Sequence, residues 1–160
     1  MAVDMFLKLD SIKGEAQDSK HKDEVDILAW SWGMAQTGTT HTGSGGGAGK
    51  VAVQDIHITK WLDAASTPLM LACCNGKHIP TGTITVRKAG ENPLEYLKID
   101  LTEILVTSVT TGGSGGEDRL TENVSLNFRQ FHVTYTPQNK DGSAGSAGET
   151  KWNIAENKAE

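Results

Sequence analysis

Two runs late in the chain, 94–109 and 123–135, alternate apolar with polar residues and then change phase partway along. In the first, Leu97, Ile99, Leu101 and Leu105 oppose Lys98 and Asp100, while Ile104 and Val106 take the other side. In the second, Val124, Leu126 and Phe128 give way to Phe131, Val133 and Tyr135 across Arg129 and Gln130. A period of two marks a strand with one buried face. Long strands that switch faces must bend, and bent strands belong to sheets coiled into a sandwich or barrel. Shorter runs complete the set. Met5, Leu7 and Leu9 share a face of a first strand, and 79–87 reads as another. Over 25–32, Leu28, Trp30 and Trp32 oppose Val25, Ile27 and Ala29, so this strand is expected to be covered on both faces. Over 51–58 the apolar phase slips by one near Gln54 and Asp55, which predicts a bulge. One helix is expected: Thr67 as its cap, Pro68 in its first turn, 69–74 apolar all round and buried, and Gly76 as its stop. The fold class is mainly β with one short flanking α-helix.

The stretch from Gly38 to Gly49 separates two of these strands where a two-residue hairpin would join them more simply. It comprises Gly38, Thr39, Thr40, His41, Thr42, Gly43, Ser44, Gly45, Gly46, Gly47, Ala48 and Gly49. Fully extended, about twelve residues span roughly 40 Å, so a loop that goes out and returns projects about 20 Å, enough to touch another subunit. Fixing about twelve backbones costs very roughly 12–24 kcal/mol, which needs on the order of 500–1,000 Å² of apolar burial to offset it. The stretch has almost no large apolar side chains. It is therefore expected to be a mobile arm that orders against a partner surface able to supply hydrogen bonds.

At 160 residues the chain is expected to form a single domain over 1–160, with a real core. A net charge of −5 with no basic cluster argues against a nucleic-acid surface. No apolar stretch reaches bilayer-spanning length, so no membrane insertion is expected. The N-terminus MAVDMFLKLD lacks a basic region and a sustained apolar run, so export, if it occurs, is expected without a cleaved signal peptide. Cys73 and Cys74 are adjacent, poorly placed for a disulfide with each other, and read as buried reduced thiols. Residues 140–160 begin with a Gly/Ser/Ala-rich segment and are expected to form a mobile tail whose Trp152 docks back on the body.

Candidate chemistry is sparse. Gly112–Gly116 matches G-x-S-x-G with Ser114 in the nucleophile position, which keeps a serine hydrolase as the alternative from the enzyme class. That motif needs a helix after it, whereas EDRLTENVSLNF leads into a strand. Gly43, Gly45 and Ala48 fit a loose dinucleotide fingerprint, but a strand follows where a helix N-terminus should hold the pyrophosphate. The five histidines are scattered without ligand spacing. No catalytic residue, cofactor or metal is proposed on this basis. A rigid β body with projecting glycine loops suits an assembly subunit, which needs no pocket.

Taken together, MAVDMFLKLD followed by IKGE, the LAWSWGM run, GGGAGKVAVQDIHITK, GKH, TVRKAG and TGGSGGEDRLTENVSLNF resemble the haemolysin-coregulated protein (Hcp) family. That family is the tube-forming component of bacterial type VI secretion. The likeness runs collinearly from Met1 to Trp152. It implies two β-sheets curled into a β-barrel with one flanking helix, and a ring of six subunits around a channel. Such rings stack into a tube driven by a contractile sheath and capped by a spike, and the subunit is itself exported from the bacterial cytoplasm. Some members hold and stabilise effector proteins inside the ring. By this resemblance Gly38–Gly49 is the loop that reaches the neighbouring ring, and Ser31 and Ser114 face the lumen and its cargo. A contractile-phage tail tube is the nearest alternative within the same architecture.

Overall fold

A computed structural model describes residues 2–41, 43 and 46–160. In chain order the elements are β1 (Val3–Leu9), β2 (Val25–Ser31), β3 (Met34–Ala35), β4 (Ala52–Val53), β5 (Ile56–Trp61), α1 (Ser66–Asn75), β6 (Ile79–Lys88), β7 (Glu95–Thr111), β8 (Thr121–Tyr135), β9 (Gly148–Asn153) and β10 (Lys158–Ala159). All pairings among the described residues are antiparallel. Following hydrogen bonds from strand to strand gives β8-β5-β2-β1-β6-β7, and β7 pairs again with β8. Six strands thus close into a barrel, with β9 and β10 continuing outward from β8 and β3-β4 forming a separate two-stranded ribbon. Closure removes most of the free edges that an open sheet of this size would carry.

The long strands bend where the sequence changes phase. Glu103 of β7 adopts a left-handed backbone, φ 52°, between the inward pairs Ile99/Leu101 and Ile104/Val106. Arg129 of β8 lies across from it, its Nη1 3.7 Å from Glu103 Oε2, between inward Phe128 and Phe131. Both strands therefore switch faces at one level, which keeps Ile99, Leu101, Ile104 and Val106 of β7 and Leu126, Phe128 and Phe131 of β8 on the core side. Leu105, expected on the face of Leu101, turns outward opposite Asn127. A second break, between Val106 and Ser108, shifts the β7–β8 register by one and turns Thr107 and Ser108 both outward. The core inside is aliphatic, built from Leu7, Val25, Ile56, Ile58, Ile84, Ile99, Leu101, Ile104, Val124 and Leu126 among others. Trp32, Phe128 and Phe131 meet edge-to-face at its margin, with ring centroids 4.8–6.3 Å apart.

Several local expectations are corrected. β2 is not covered on both faces: a register shift between Ile27 and Ala29 lets Val25, Ile27 and then Trp30 turn to the core while Leu28 stays 39% exposed. The slip near Gln54 and Asp55 is a break between two strands rather than a bulge within one. β4 there leaves the barrel to pair with β3, and Trp32 Nε1 donates to the Gln54 carbonyl at 2.9 Å. α1 starts at Ser66, not after a Thr67 cap; Ala65 precedes it without a capping side chain, while Gly76 ends it in the left-handed conformation at φ 67°. The helix is buried on one face only, through Ser66, Leu69 and Ala72, leaving Leu71 62% exposed. Successive helical residues point about 100° apart, so adjacent cysteines cannot both turn inward. Cys73 is half-buried and Cys74 exposed, both as free thiols. Where the sequence suggests a mobile tail over 140–160, the structure pairs β9 with β8 from Tyr135↔Gly148 to Gln130↔Asn153; the expected docking of Trp152 on the body is seen, since it packs on the core.

Two polar clusters tie the connections to the barrel. Lys60 and Glu122 lie opposite one another on β5 and β8, both fully buried. Lys60 Nζ donates to Glu122 Oε1, to the Trp61 carbonyl at 2.8 Å and to Ser66 Oγ at 3.2 Å, and pairs with Asp63 Oδ1 at 2.8 Å. Ser66 Oγ in turn donates to Glu122 Oε1 at 2.7 Å, which fixes the start of α1 on the barrel. At the other cluster Arg87 of β6 bonds Asp18 and, at 3.3 Å, Asp4, with its guanidinium 5.1 Å from the centre of the Phe6 ring. His21 stacks on Phe6 at 4.4 Å, and its ring nitrogens lie 2.8 and 2.7 Å from carboxylate oxygens of Glu24 and Glu95. The Arg87 hydrogen bond lowers the Asp18 carboxyl to about 2. The charged connection between β1 and β2 is thereby strapped across β1, β6 and β7.

Candidate functional site

The outer face of the sheet β2-β5-β8-β7 carries a row of small polar residues. Ser31 pairs with His57, His57 with Ser125, and Ser125 with Ser108, so these four stand side by side across four strands. His57 Nδ1 lies 2.7 Å from Ser125 Oγ, and Ser108 Oγ donates to Ser125 Oγ at 2.8 Å. A second row runs Ala29, Thr59, Asn123, Thr110, with Thr59 Oγ1 donating to Asn123 Oδ1 at 2.7 Å. Along one margin Asp55 accepts from Thr107 Oγ1 at 2.8 Å and Asn127 Nδ2 at 2.9 Å. The inward residues between these rows, Ile56, Ile58, Val124 and Leu126, are the buried core, so strand alternation alone puts the polar set outside. Apart from His57 and Asp55, the two rows and this margin hold no ionisable side chain.

Ser31 and Ser114 fall on this surface. Ser31 is exposed at the end of β2 and begins the first row. Ser114 is exposed in the loop after β7, in a groove shared with Thr110, Thr111, Thr121 and Asn123, and so adjoins the second row. Its hydroxyl accepts only from Gly116 N, at 3.5 Å, among the described residues. The serine placed against an imidazole is Ser125, which sequence reasoning passed over. The available signal was that His57 and Ser125 both occupy outward positions of alternating strands.

Beyond this sheet, two edges lack partners among the described residues. β1 pairs with β2 only at Leu7↔Val25 and Phe6↔Asp26, so β2 from Ile27 onward has one free side. β6 pairs with β7 no further than Ile104, so β7 from Leu105 to Thr111 is free on its β6 side. Ser31 and Ser108, at the two ends of the first row, lie on these edges.

The arm leaves the same body as a narrow ribbon. Met34↔Val53 and Ala35↔Ala52 pair at its base, Gly38 bridges Ala48, Thr39 Oγ1 donates to the Gly47 carbonyl at 2.6 Å and Gly47 N donates back at 3.2 Å. The positions 36–41, 43 and 46–50 are exposed. Thr42, Ser44 and Gly45 of the expected loop lie outside the described residues. Gly43 has φ 75°, a conformation that glycine takes without strain. Among the described residues no group of three or more potential ligands could hold a metal, and no helix is long and apolar enough to cross a membrane.

Comparison with known proteins places this geometry. The chain is 59% identical to the protein Hcp1 of Pseudomonas aeruginosa over 160 residues, covering 98% of each. The crystal structure of Hcp1 from Salmonella typhimurium matches with TM-score 0.84 at 39% identity, covering 100% of both chains. A type VI secretion system effector from Yersinia pestis matches with TM-score 0.78 at 32% identity, over 94% of this chain and 100% of the other. A family model described as "Type VI secretion system effector, Hcp" matches residues 6–135. With a six-stranded barrel, a short flanking helix and this agreement along nearly the whole chain, the protein belongs to the Hcp family of type VI secretion.

Proposed function

We propose that the protein is the subunit of a type VI secretion inner tube, in which six copies close into a ring, rings stack through the Gly38–Gly49 arm, and effector proteins ride in the lumen. The spike and the contractile sheath are its further partners in this reading, and the tube is expelled with its cargo. The two polar, nearly uncharged rows across β2, β5, β8 and β7, flanked by a free edge on either side, are the observation that carries it. Antiparallel alternation continues if β2 of one copy lies beside β7 of the next, because β2 and β7 sit at opposite margins of a four-stranded antiparallel sheet and run in opposite directions. A contact between two different surfaces of the same chain makes a closed ring when its rotation closes. The exposed Leu28 at the β2 edge would be covered by it.

A lumen lined by serine, threonine and asparagine suits a cargo channel. It offers hydrogen bonds to many polypeptide surfaces without the fixed charge that would select one sign of partner. Mass measurement of the purified protein followed by negative-stain imaging tests the reading: six-membered rings with an open centre are expected, and a monomer at high concentration would overturn it.

A further inference from the structure

We infer that the groove between the start of β2 and the end of β5 is the receptor for the arm of a second copy. This rests on the stacking reading above and names the surface that the arm meets. Asp26 is the second residue of β2 and Trp61 closes β5, and together with Glu15, Gln17, Asp63 and Arg119 they line a polar cavity of about 310 Å³. The arm departs from the other ends of the same two strands, after Ser31 and before Ile56. At about 3.3 Å per residue, β5 alone separates arm base and groove by roughly 17 Å. One copy therefore presents the arm in one direction and the groove in the opposite one. No copy can return the contact it receives, so the contact is head-to-tail and propagates into a filament.

Charge selects the arm as the occupant. From Gly33 to Val53 the chain contains no Asp or Glu, and its titratable side chains are His41 and Lys50. Its glycines carry backbone donors with no side chain to hold an acceptor away. The groove is the complement. Arg119 is stacked over the Trp61 ring at 4.5 Å, Asp63 is held by Lys60, and Glu15 Oε2 accepts from Ala64 N at 2.9 Å. Among the described residues no donor satisfies the Asp26 carboxylate. Desolvation by the groove walls, and then the nearby Asp63, raise its carboxyl above the ordinary range, against the opposing pull of Arg119. Beside the groove, Leu62 and Leu120 are each 40% exposed and joined by a 2.8 Å backbone hydrogen bond, an apolar ledge at its rim.

The test is a charge exchange in the full chain. Asp26→Lys, the paired reversal His41→Glu with Lys50→Glu, and the combination of all three are purified, with ring mass and circular dichroism as controls for folding. Tube formation is then followed by sedimentation and negative stain across a concentration series. Each partial variant should keep rings but raise the concentration needed for tubes about tenfold or more, because a weak contact is repeated around the ring; the combined variant should restore it. Partial variants that stack as wild type does would overturn the groove while leaving the stacking reading intact. So would a combined variant that fails to recover. Rings that never stack, in wild type as in every variant, would overturn both.

Discussion

Lys60 and Glu122 stand directly across from one another on β5 and β8, inside the barrel, with no solvent exposure. They occupy positions that the strand alternation reserves for the core, in line with Ile56 and Ile58 on one strand and Val124 and Leu126 on the other. The pair is held by Asp63 and Ser66, so it also fixes where α1 begins. Removing one member of such a pair leaves an uncompensated buried charge. Glu122→Leu alone is expected to cost about 3–5 kcal/mol, and Lys60→Met alone the same. The double replacement removes both buried charges but still leaves Asp63 without Lys60, so it should recover part of that loss. Urea denaturation of the three variants measures it. A double variant as unstable as the worse single variant would show that the pair itself stabilises the fold.

Acid sensitivity should localise to Arg87 and Asp18. The folded-state carboxyl of Asp18 lies at about 2 against an ordinary 3.8, so the folded protein binds its proton less readily than the unfolded chain does. The stabilisation is therefore complete above about pH 4 and disappears as pH falls through about 2. Asp18→Asn should lower the melting temperature at neutral pH, and the two melting curves should converge in acid. A constant difference down to pH 2 would place the contribution elsewhere.

Deleting residues 43–47 should leave rings intact and abolish stacking. The barrel strands and the pairs Met34↔Val53 and Ala35↔Ala52 are untouched by the deletion. Size-exclusion mass and negative-stain imaging at one protein concentration give both readouts. Tubes of normal length from the shortened protein would remove the arm from the stacking contact.

Ser31→Gln and Ser114→Gln should reduce co-purification of effector proteins without changing ring mass. Both side chains are exposed beside the polar rows, so the longer amide narrows the proposed lumen while burying nothing new. Cargo recovery equal to wild type would argue that these serines face the seam between subunits.

Read without coordinates, the chain already displayed its bends. The changes of phase between Leu101 and Ile104 and between Phe128 and Phe131 became the aligned kinks at Glu103 and Arg129, because a face switch in one strand must be matched in its partner if both are to keep apolar residues inside. Gly76 was equally legible, since a left-handed helix stop favours a residue without Cβ. The buried ion pair was not: a lysine and a glutamate read as solvated until two distant strands are set in register. Neither was the one-sided burial of α1, whose run of apolar residues gives no direction until the barrel supplies a surface.

Local alternation, glycine placement and the collinear motifs thus determined a mainly β chain with a projecting arm and its family. These depend on neighbours a few residues apart and survive in a linear reading. Tertiary structure alone decided that β7 closes on β8, that Ser31, His57, Ser125 and Ser108 form one row, and that arm and groove point in opposite directions. Each of these joins residues tens of positions apart, and their juxtaposition is set by strand register and barrel closure rather than by any preference of the residues themselves.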